Sequence, residues 1–133
     1  MIGDYKMPRF EKSNAAELKR FLYNSCVHDA RMENIVYRCG DDCMKIELLN
    51  PIFNTRLLLI FSDIEVVLAV KKKEYGSHET IISLSMEEDL SYLQNYFPKC
   101  TEYAEDNLYL LFQMFSGDEL HIVSKEVTIE IVA

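Results

Sequence analysis

Residues 44–61 read MKIELLNPIFNTRLLLIF and contain two strand patterns separated by a turn. In the first pattern, apolar residues alternate with Lys45 and Glu47, which is typical of a strand with one buried and one solvent-facing side. Asn50-Pro51 ends this strand, because proline cannot donate the hydrogen bond that a sheet ladder needs. The second pattern, 55–61, is apolar on both faces and predicts a central strand. The linker between them is too short for a parallel crossover, which favours antiparallel pairing.

Similar patterns occur on both sides of this stretch. Further strands are predicted at 30–40, 64–71, 80–84, 108–115 and 120–132. Ser62-Asp63 is expected to separate two of the strands, and a change of phase near Lys125-Glu126 predicts a bulge or a break in the last one. Ser116-Gly117-Asp118 is typical of a hairpin turn, because glycine readily adopts the positive φ that such a turn needs. The chain is therefore expected to form six or seven strands, mostly joined by short loops.

Two short helices are also predicted. Asn14, with Glu17 three residues later, forms a capping-box pattern before a helix over 15–25. The apolar residues of this helix share one face and predict packing against the sheet; they are Leu18, Phe21 and Leu22. A second capping-box pattern, Ser85 with Glu88, predicts a short helix over 86–96.

The expected fold class is α+β, with a mostly antiparallel sheet arranged as a meander or a small sandwich. An N-terminal helix and one short helix near 86–96 accompany the sheet. Residues 1–133 are expected to form a single domain, in which 1–13 is a lead-in segment.

The net charge of −8 limits the classes of partner. It disfavours a nucleic-acid binder, which neutralises phosphates with Lys and Arg, and it disfavours an anionic membrane surface. An acidic surface attracts a basic protein partner, although the charge could also serve only to keep a small domain soluble. The N-terminal sequence has no basic start followed by an apolar stretch, so a cytoplasmic location is expected. The oligomeric state is left open.

The residues give little support for a metal or a cofactor. Four cysteines in a chain expected to be cytoplasmic are typical of reduced thiols, and the Cys39–Cys43 spacing lacks the further ligands that a zinc site needs. A metal could be bound by His28, His121 and a carboxylate such as Asp29, Glu79 or Asp118, but their spacing does not require it. No cofactor motif and no catalytic residue are identified.

His28-Asp29 lies where the first helix gives way to the first long strand. A histidine beside an acid could act as an oriented base. Adjacent residues of an extended chain, however, point to opposite faces, so we expect no hydrogen bond between the two side chains. His28 and Asp29 are therefore predicted to form a structural corner, with a functional role as the alternative.

Aromatic and acidic residues are interleaved around the second predicted helix. Such a surface could bind a basic protein, because tyrosine is favoured at interface hot spots; the alternative is that these rings pack in the core or at an edge. The candidate partner surface consists of Glu87, Glu88, Asp89, Tyr92, Tyr96 and Tyr103.

A resemblance to a known group rests on three segments. These are Val27-His28-Asp29-Ala30, the strand Met44–Leu48 and the hairpin Phe112–Leu120. Together they resemble small, strand-rich bacterial proteins, some of which are grouped with the immunity proteins of polymorphic toxin systems. The resemblance implies a non-enzymatic role in which the chain covers the active surface of a toxin domain.

The function predicted first is a non-enzymatic protein-binding module, immunity-like in character, that binds a basic protein through an acidic and aromatic surface. Two alternatives remain open. One is a small metal-binding or hydrolytic domain centred on His28, and the other is a small-ligand binder with a pocket between sheet and helix.

Overall fold

The computed structural model describes residues 8–23, 27–72, 80–96 and 106–132 of the chain. Its strands and helices, in chain order, are β1 (Arg9–Glu11), α1 (Ala15–Tyr23), β2 (Arg31–Arg38), β3 (Cys43–Asn50), β4 (Thr55–Val70), β5 (Ile81–Glu87), α2 (Ser91–Gln94), β6 (Leu108–Met114) and β7 (Glu119–Val132). Two short 3-10 turns accompany them, at Lys12–Asn14 and Cys39–Asp41. Every strand pair is antiparallel, so the predicted α+β class with an antiparallel sheet is confirmed.

The seven strands form one sheet in the order β2-β3-β4-β7-β6-β5. Two three-stranded meanders are thus joined side by side through β4 and β7. β6 pairs with the first half of β7, and β1 pairs with residues 126–128 of the second half. Backbone hydrogen bonds of 2.9 Å join Ile81 to Asp29 and to Ala30. The sheet therefore curls until its first and last strands meet at one end.

The inner face of the curled sheet carries the main core. The alternation predicted for β3 is confirmed, because its apolar residues at 44, 46 and 48 are buried while Lys45 and Glu47 are exposed. Leu18 of α1 is fully buried in the same cluster, and the rings of Phe10 and Phe21 lie 5.5 Å apart. The first helix is therefore confirmed over Ala15–Tyr23. Residues 24 and 25 of its predicted span lie outside the described residues.

The last part of the predicted lead-in segment, 1–13, pairs with the sheet. Residues 9–11 form β1, because β6 ends its pairing with β7 at Ser124 and leaves the rest of that strand edge to be paired. Asn14 is not the helix cap. Its Oδ1 accepts a hydrogen bond of 2.7 Å from the Glu11 amide and its Nδ2 donates to Arg9 O, so its side chain stabilises the 3-10 turn before α1.

The sequence predicted that Ser62-Asp63 separates two strands, and this prediction is wrong. β4 runs continuously for 16 residues, and Ser62 and Ile64 both stay paired with β7. Asp63 has a φ of 53°, a left-handed conformation that aspartate tolerates better than most residues. The strand therefore absorbs the distortion without ending.

A phase change in β7 was also predicted, and it is confirmed. In a regular strand, residues with even and odd numbers point to opposite faces of the sheet. Ile122 and Val127 nevertheless both lie in the inner core. The change of face falls between them, beside the distorted part of β4.

The second helix is shorter than predicted. Ser85 and Glu87 belong to β5, where they pair with Leu111 and Tyr109, so helix α2 is limited to Ser91–Gln94. These residues form a strand because β6 lies inside the sheet: one edge of β6 pairs with β7, and the backbone groups of its other edge need β5 as a partner. The Ser91 amide donates a hydrogen bond of 2.9 Å to Asp89 Oδ1, so Asp89 and not Ser85 bonds the backbone at the start of α2.

The described residues contain no helix long and apolar enough to cross a membrane. Cys39 and Cys43, at the two ends of the β2–β3 connection, carry free thiols. Cys26, Cys100, His78 and Glu79, which the sequence analysis also considered, lie outside the described residues.

Candidate functional site

His28 and Asp29 lie in a turn, and their side chains approach each other. Asp29 has a φ of 68°, and its Oδ1 is 3.1 Å from His28 Nδ1. The expectation that they point to opposite faces is therefore wrong, because it assumed an extended backbone. Both side chains are largely exposed, at 66% for His28 and 46% for Asp29, so solvent screens the pair.

Backbone contacts, more than side chains, tie this corner to the sheet. The Asp29 amide donates to Ile81 O at 2.9 Å, and His28 O accepts a weaker hydrogen bond of 3.4 Å from Asn50 Nδ2. The turn thereby links β5 to the end of β3. These contacts favour the structural interpretation of the corner.

The predicted acidic and aromatic residues lie along the segment that joins β5 to α2 and continues past it. Tyr92 and Tyr96 are 38% and 53% exposed, with ring centroids 5.7 Å apart. Glu87 ends β5, and Glu88 and Asp89 precede α2. Tyr103, the remaining member of the predicted surface, lies outside the described residues. The structure therefore brings five of the six predicted residues into one region.

Local hydrogen bonds favour the charged forms of two of these acids. Lys19 donates a hydrogen bond of 2.9 Å to Glu88, and this bond together with the lysine charge lowers the pKa of Glu88. The Ser91 amide similarly lowers the pKa of Asp89. Both carboxylates are exposed, so they contribute negative charge to the surface at neutral pH.

Beneath α2 lies a second hydrophobic cluster, on the outer face of the sheet. Leu90 and Leu93 pack there against side chains from β4, β6 and β7. We call this group the outer cluster; its buried members are Val66, Leu90, Leu93, Tyr109, Leu111 and Val123. The segment 88–96 therefore covers a sheet face that would otherwise expose apolar side chains to water.

His121 is buried beside the outer cluster, with a side chain only 3% exposed. Its Nδ1 is 2.6 Å from the Tyr109 hydroxyl, and its Nε2 is 3.0 Å from Glu119 Oε1. The Tyr92 ring stacks on the imidazole with a centroid distance of 5.0 Å and an interplanar angle of 13°. A hydrogen bond with Tyr96 is the largest cause that raises the pKa of Tyr92, and burial adds to it.

The sequence analysis did not bring these four side chains together: it placed Tyr92 in the candidate partner surface and considered His121 only as a metal ligand. His121 alternates with Leu120 and Ile122 and so resembles a solvent-facing strand residue. One feature of the sequence could have revealed the burial of His121. Because β6 is apolar on both faces, its outer face must be covered, and the same cover extends over the neighbouring strand β7.

An open groove lies at the distorted part of β4. Its volume is about 500 Å³, and it is lined by Glu11, Lys12, Ser13, Asp63, Glu65, Asp106, Asn107 and Lys125. We call it the acidic groove, because four carboxylates outnumber two lysines in it. Within the described parts of the chain, Asp63, Glu65 and Asp106 make no ion pair or hydrogen bond through their side chains.

The acidic groove continues toward the predicted partner surface. A small neighbouring depression shares Lys12 and Asn107 with the groove and is also lined by Glu87 and Glu88. Lys12 is close enough to Glu88 to help lower the pKa of that carboxyl. The groove and the acids before α2 are therefore neighbours, with Lys12 and Asn107 between them.

Among the residues that the structure describes, no cluster of histidine, cysteine and acidic side chains is arranged to hold a metal ion. The structure does not bring His28 and His121 into one site. His28 contacts Asp29, whereas His121 contacts Glu119, Tyr109 and Tyr92. Comparisons of the chain with known protein families, curated proteins and solved structures found no match.

Proposed function

We propose that the protein is a binding module for a basic segment of a partner protein. The observation that carries this proposal is the acidic groove, an open cavity of about 500 Å³ in which three carboxylates lack partners among the described residues. Tyr92 lies on α2, just after the acids Glu88 and Asp89, and its ring contacts that of Tyr96. The partner segment is rich in arginine or lysine.

Electrostatics supports this choice of partner in two ways. The net charge of −8 attracts basic proteins at long range and accelerates their encounter. An exposed ion pair contributes only about 0–1 kcal/mol, so a single surface carboxylate would not give useful affinity. Several carboxylates along one groove act on the same bound segment, and its walls concentrate their field.

The exposed tyrosine pair adds a different kind of contact. Tyrosine rings bury a large area with few rotatable bonds, and their faces attract arginine and lysine side chains. Because Tyr92 and Tyr96 already contact each other, the entropy lost when a partner orders them is reduced. The acids therefore provide attraction, and the rings provide contact area.

Binding of labelled nona-arginine, followed by fluorescence anisotropy, tests the proposal. The groove variant combines Asp63→Asn, Glu65→Gln and Asp106→Asn, which removes three charges with little change of shape. We expect its affinity to fall about tenfold or more, equivalent to about 1.4 kcal/mol. Asparagine suits position 63 because it tolerates the left-handed conformation found there.

The matched control combines Asp29→Asn, Glu47→Gln and Glu130→Gln. It changes the net charge equally and also includes one aspartate with a positive φ, but none of its residues lines the groove. We expect this control to change the affinity less than about threefold, since long-range charge alone is screened at physiological salt. Equal weakening by the two triple variants would show that net charge alone attracts the peptide, and would contradict the proposal.

The immunity-like role and the cytoplasmic setting are predictions more specific than binding of a basic segment, and they remain predictions. In that role the basic partner is a toxin domain whose active surface this chain covers. Co-expression with the product of the adjacent gene tests it: a stable complex that the groove variant weakens is expected. A complex that the groove variant leaves unchanged would contradict binding through this surface.

A further inference from the structure

His121 is a buried titratable side chain that the acidic groove does not use. It lies under Tyr92, which belongs to the proposed binding surface, and both of its ring nitrogens have partners. Histidine is the side chain whose ordinary titration falls between pH 5 and pH 8. A change in its charge would therefore act directly beneath the aromatic part of the surface.

The contacts assign the protons of the neutral imidazole. An ionised carboxylate only accepts hydrogen bonds, so Nε2 carries the hydrogen and donates to Glu119 Oε1 at 3.0 Å. Nδ1 then has the lone pair, and the Tyr109 hydroxyl donates to it at 2.6 Å. Both nitrogens of the neutral ring are satisfied.

Protonation changes the attraction of the ring for its neighbours. Nδ1 would then donate to the Tyr109 oxygen, and Glu119 would become the counter-ion of the imidazolium. The Tyr92 ring lies face to face with the imidazole at 5.0 Å, and an aromatic face attracts a cation at such a distance. The contact with Tyr92 is therefore stronger for the charged ring than for the neutral one.

The charged and titratable groups around His121 come from several elements. α2 contributes Tyr92, β6 contributes Tyr109, and β7 contributes Glu119. Lys72, just after β4, is 3.9 Å from Glu119 Oε2 and so lies beyond that carboxylate. Among the described residues that these contacts join, the Glu119 carboxylate is next to the ring and the lysine contacts the other oxygen of that carboxylate.

We propose that His121 is a proton-sensitive latch: its protonation tightens the stacking of Tyr92 and holds α2 against the sheet. The latch regulates the aromatic end of the binding surface, and in that respect it rests on the proposed function. At acidic pH the Tyr92–Tyr96 pair is held more firmly, and at alkaline pH α2 opens more often.

Amide hydrogen exchange of α2 tests the latch without any ligand. The amides of Gln94 and Tyr96 bond to Leu90 O and Leu93 O, both at 3.0 Å, and they report opening of this segment. After correction for intrinsic exchange rates, we expect their protection to rise about threefold between pH 8 and pH 5. The variant His121→Phe keeps a ring under Tyr92 but cannot be protonated, so its protection should not change over this range.

A second variant is needed because residue 121 is buried. Tyr92→Leu replaces a partly exposed ring with an apolar side chain, so folding should survive, and it too should abolish the rise in protection. A flat profile in the unmodified protein, or the same rise in both variants, would overturn the latch. The exchange measurement contains no peptide, so it does not test the proposed function. That function would be overturned separately, if the groove variant and its matched control weakened nona-arginine binding equally.

Discussion

The two faces of the same sheet are built differently. The inner core is apolar and is enclosed as the sheet curls. It receives fully buried side chains from α1 and from every strand except β2, which contributes the half-buried Met32. The outer cluster is smaller, is covered by a helix of four residues, and adjoins a hydrogen-bonded histidine, tyrosine and glutamate. The inner face therefore provides most of the stability, whereas the outer face carries a group of hydrogen-bonded polar side chains.

The largest expected effect is the loss of a side chain from the inner core. Leu59 is fully buried on β4, and Leu59→Ala should lower the free energy of unfolding by about 2–5 kcal/mol, since it removes apolar contacts and leaves a cavity. Urea unfolding followed by circular dichroism measures this. The control is Leu58→Ala, on the neighbouring, half-buried position, and it should cost clearly less. Equal costs would contradict the difference between the faces.

A smaller effect is expected in the outer cluster. Leu93 is also fully buried, but it lies on a helix of only four residues, which we expect to relax into part of the space that the substitution leaves. Leu93→Ala should therefore cost about 2 kcal/mol, at the lower end of the range for such substitutions. Hydrogen exchange should show α2 opening more often while the inner strands stay protected. If the variant instead destabilised all strands as much as Leu59→Ala does, the two clusters would form a single cooperative core.

This difference also explains how much of the fold could be predicted from the sequence. The inner alternation of β3 is visible because strand side chains change face at every residue, and the apolar stripe of α1 is visible for the equivalent reason in a helix. β1 and the continuity of β4 through Asp63 depend on pairing with distant β7, which local sequence does not show.

The candidate site was less predictable for the same physical reason. Glu87, Glu88 and Asp89 were found because local charge patterns mark them. His121 was considered only as one ligand of a possible metal site, because a polar residue in an alternating strand normally faces water. Its ring is instead covered by Tyr92, some thirty positions earlier in the chain, and contacted by Tyr109 on the neighbouring strand. Coverage of a sheet face by a distant segment is a tertiary effect with no local pattern.

The smallest effect concerns the ion pair at the edge of the α2 segment. The hydrogen bond from Lys19 is the main cause of the lowered pKa of Glu88, so Lys19→Met should raise that pKa toward its ordinary value. NMR titration of the side-chain carboxyl measures the change. The pKa of Asp89 serves as the internal control, because the Ser91 amide lowers it and that bond is retained.

The sign of the pH effect follows from the lowered pKa. A carboxyl with a lower pKa in the folded state contributes stability above the pKa of the unfolded state, and this contribution is lost as the pH falls through the folded value. Both members of the Lys19–Glu88 pair are largely exposed, so added salt should reduce the contribution further. Lys19→Met should therefore leave the urea midpoint almost unchanged at neutral pH. A large loss of stability would mean that the α2 segment is held on the sheet by the Lys19–Glu88 ion pair and not by burial of Leu90 and Leu93.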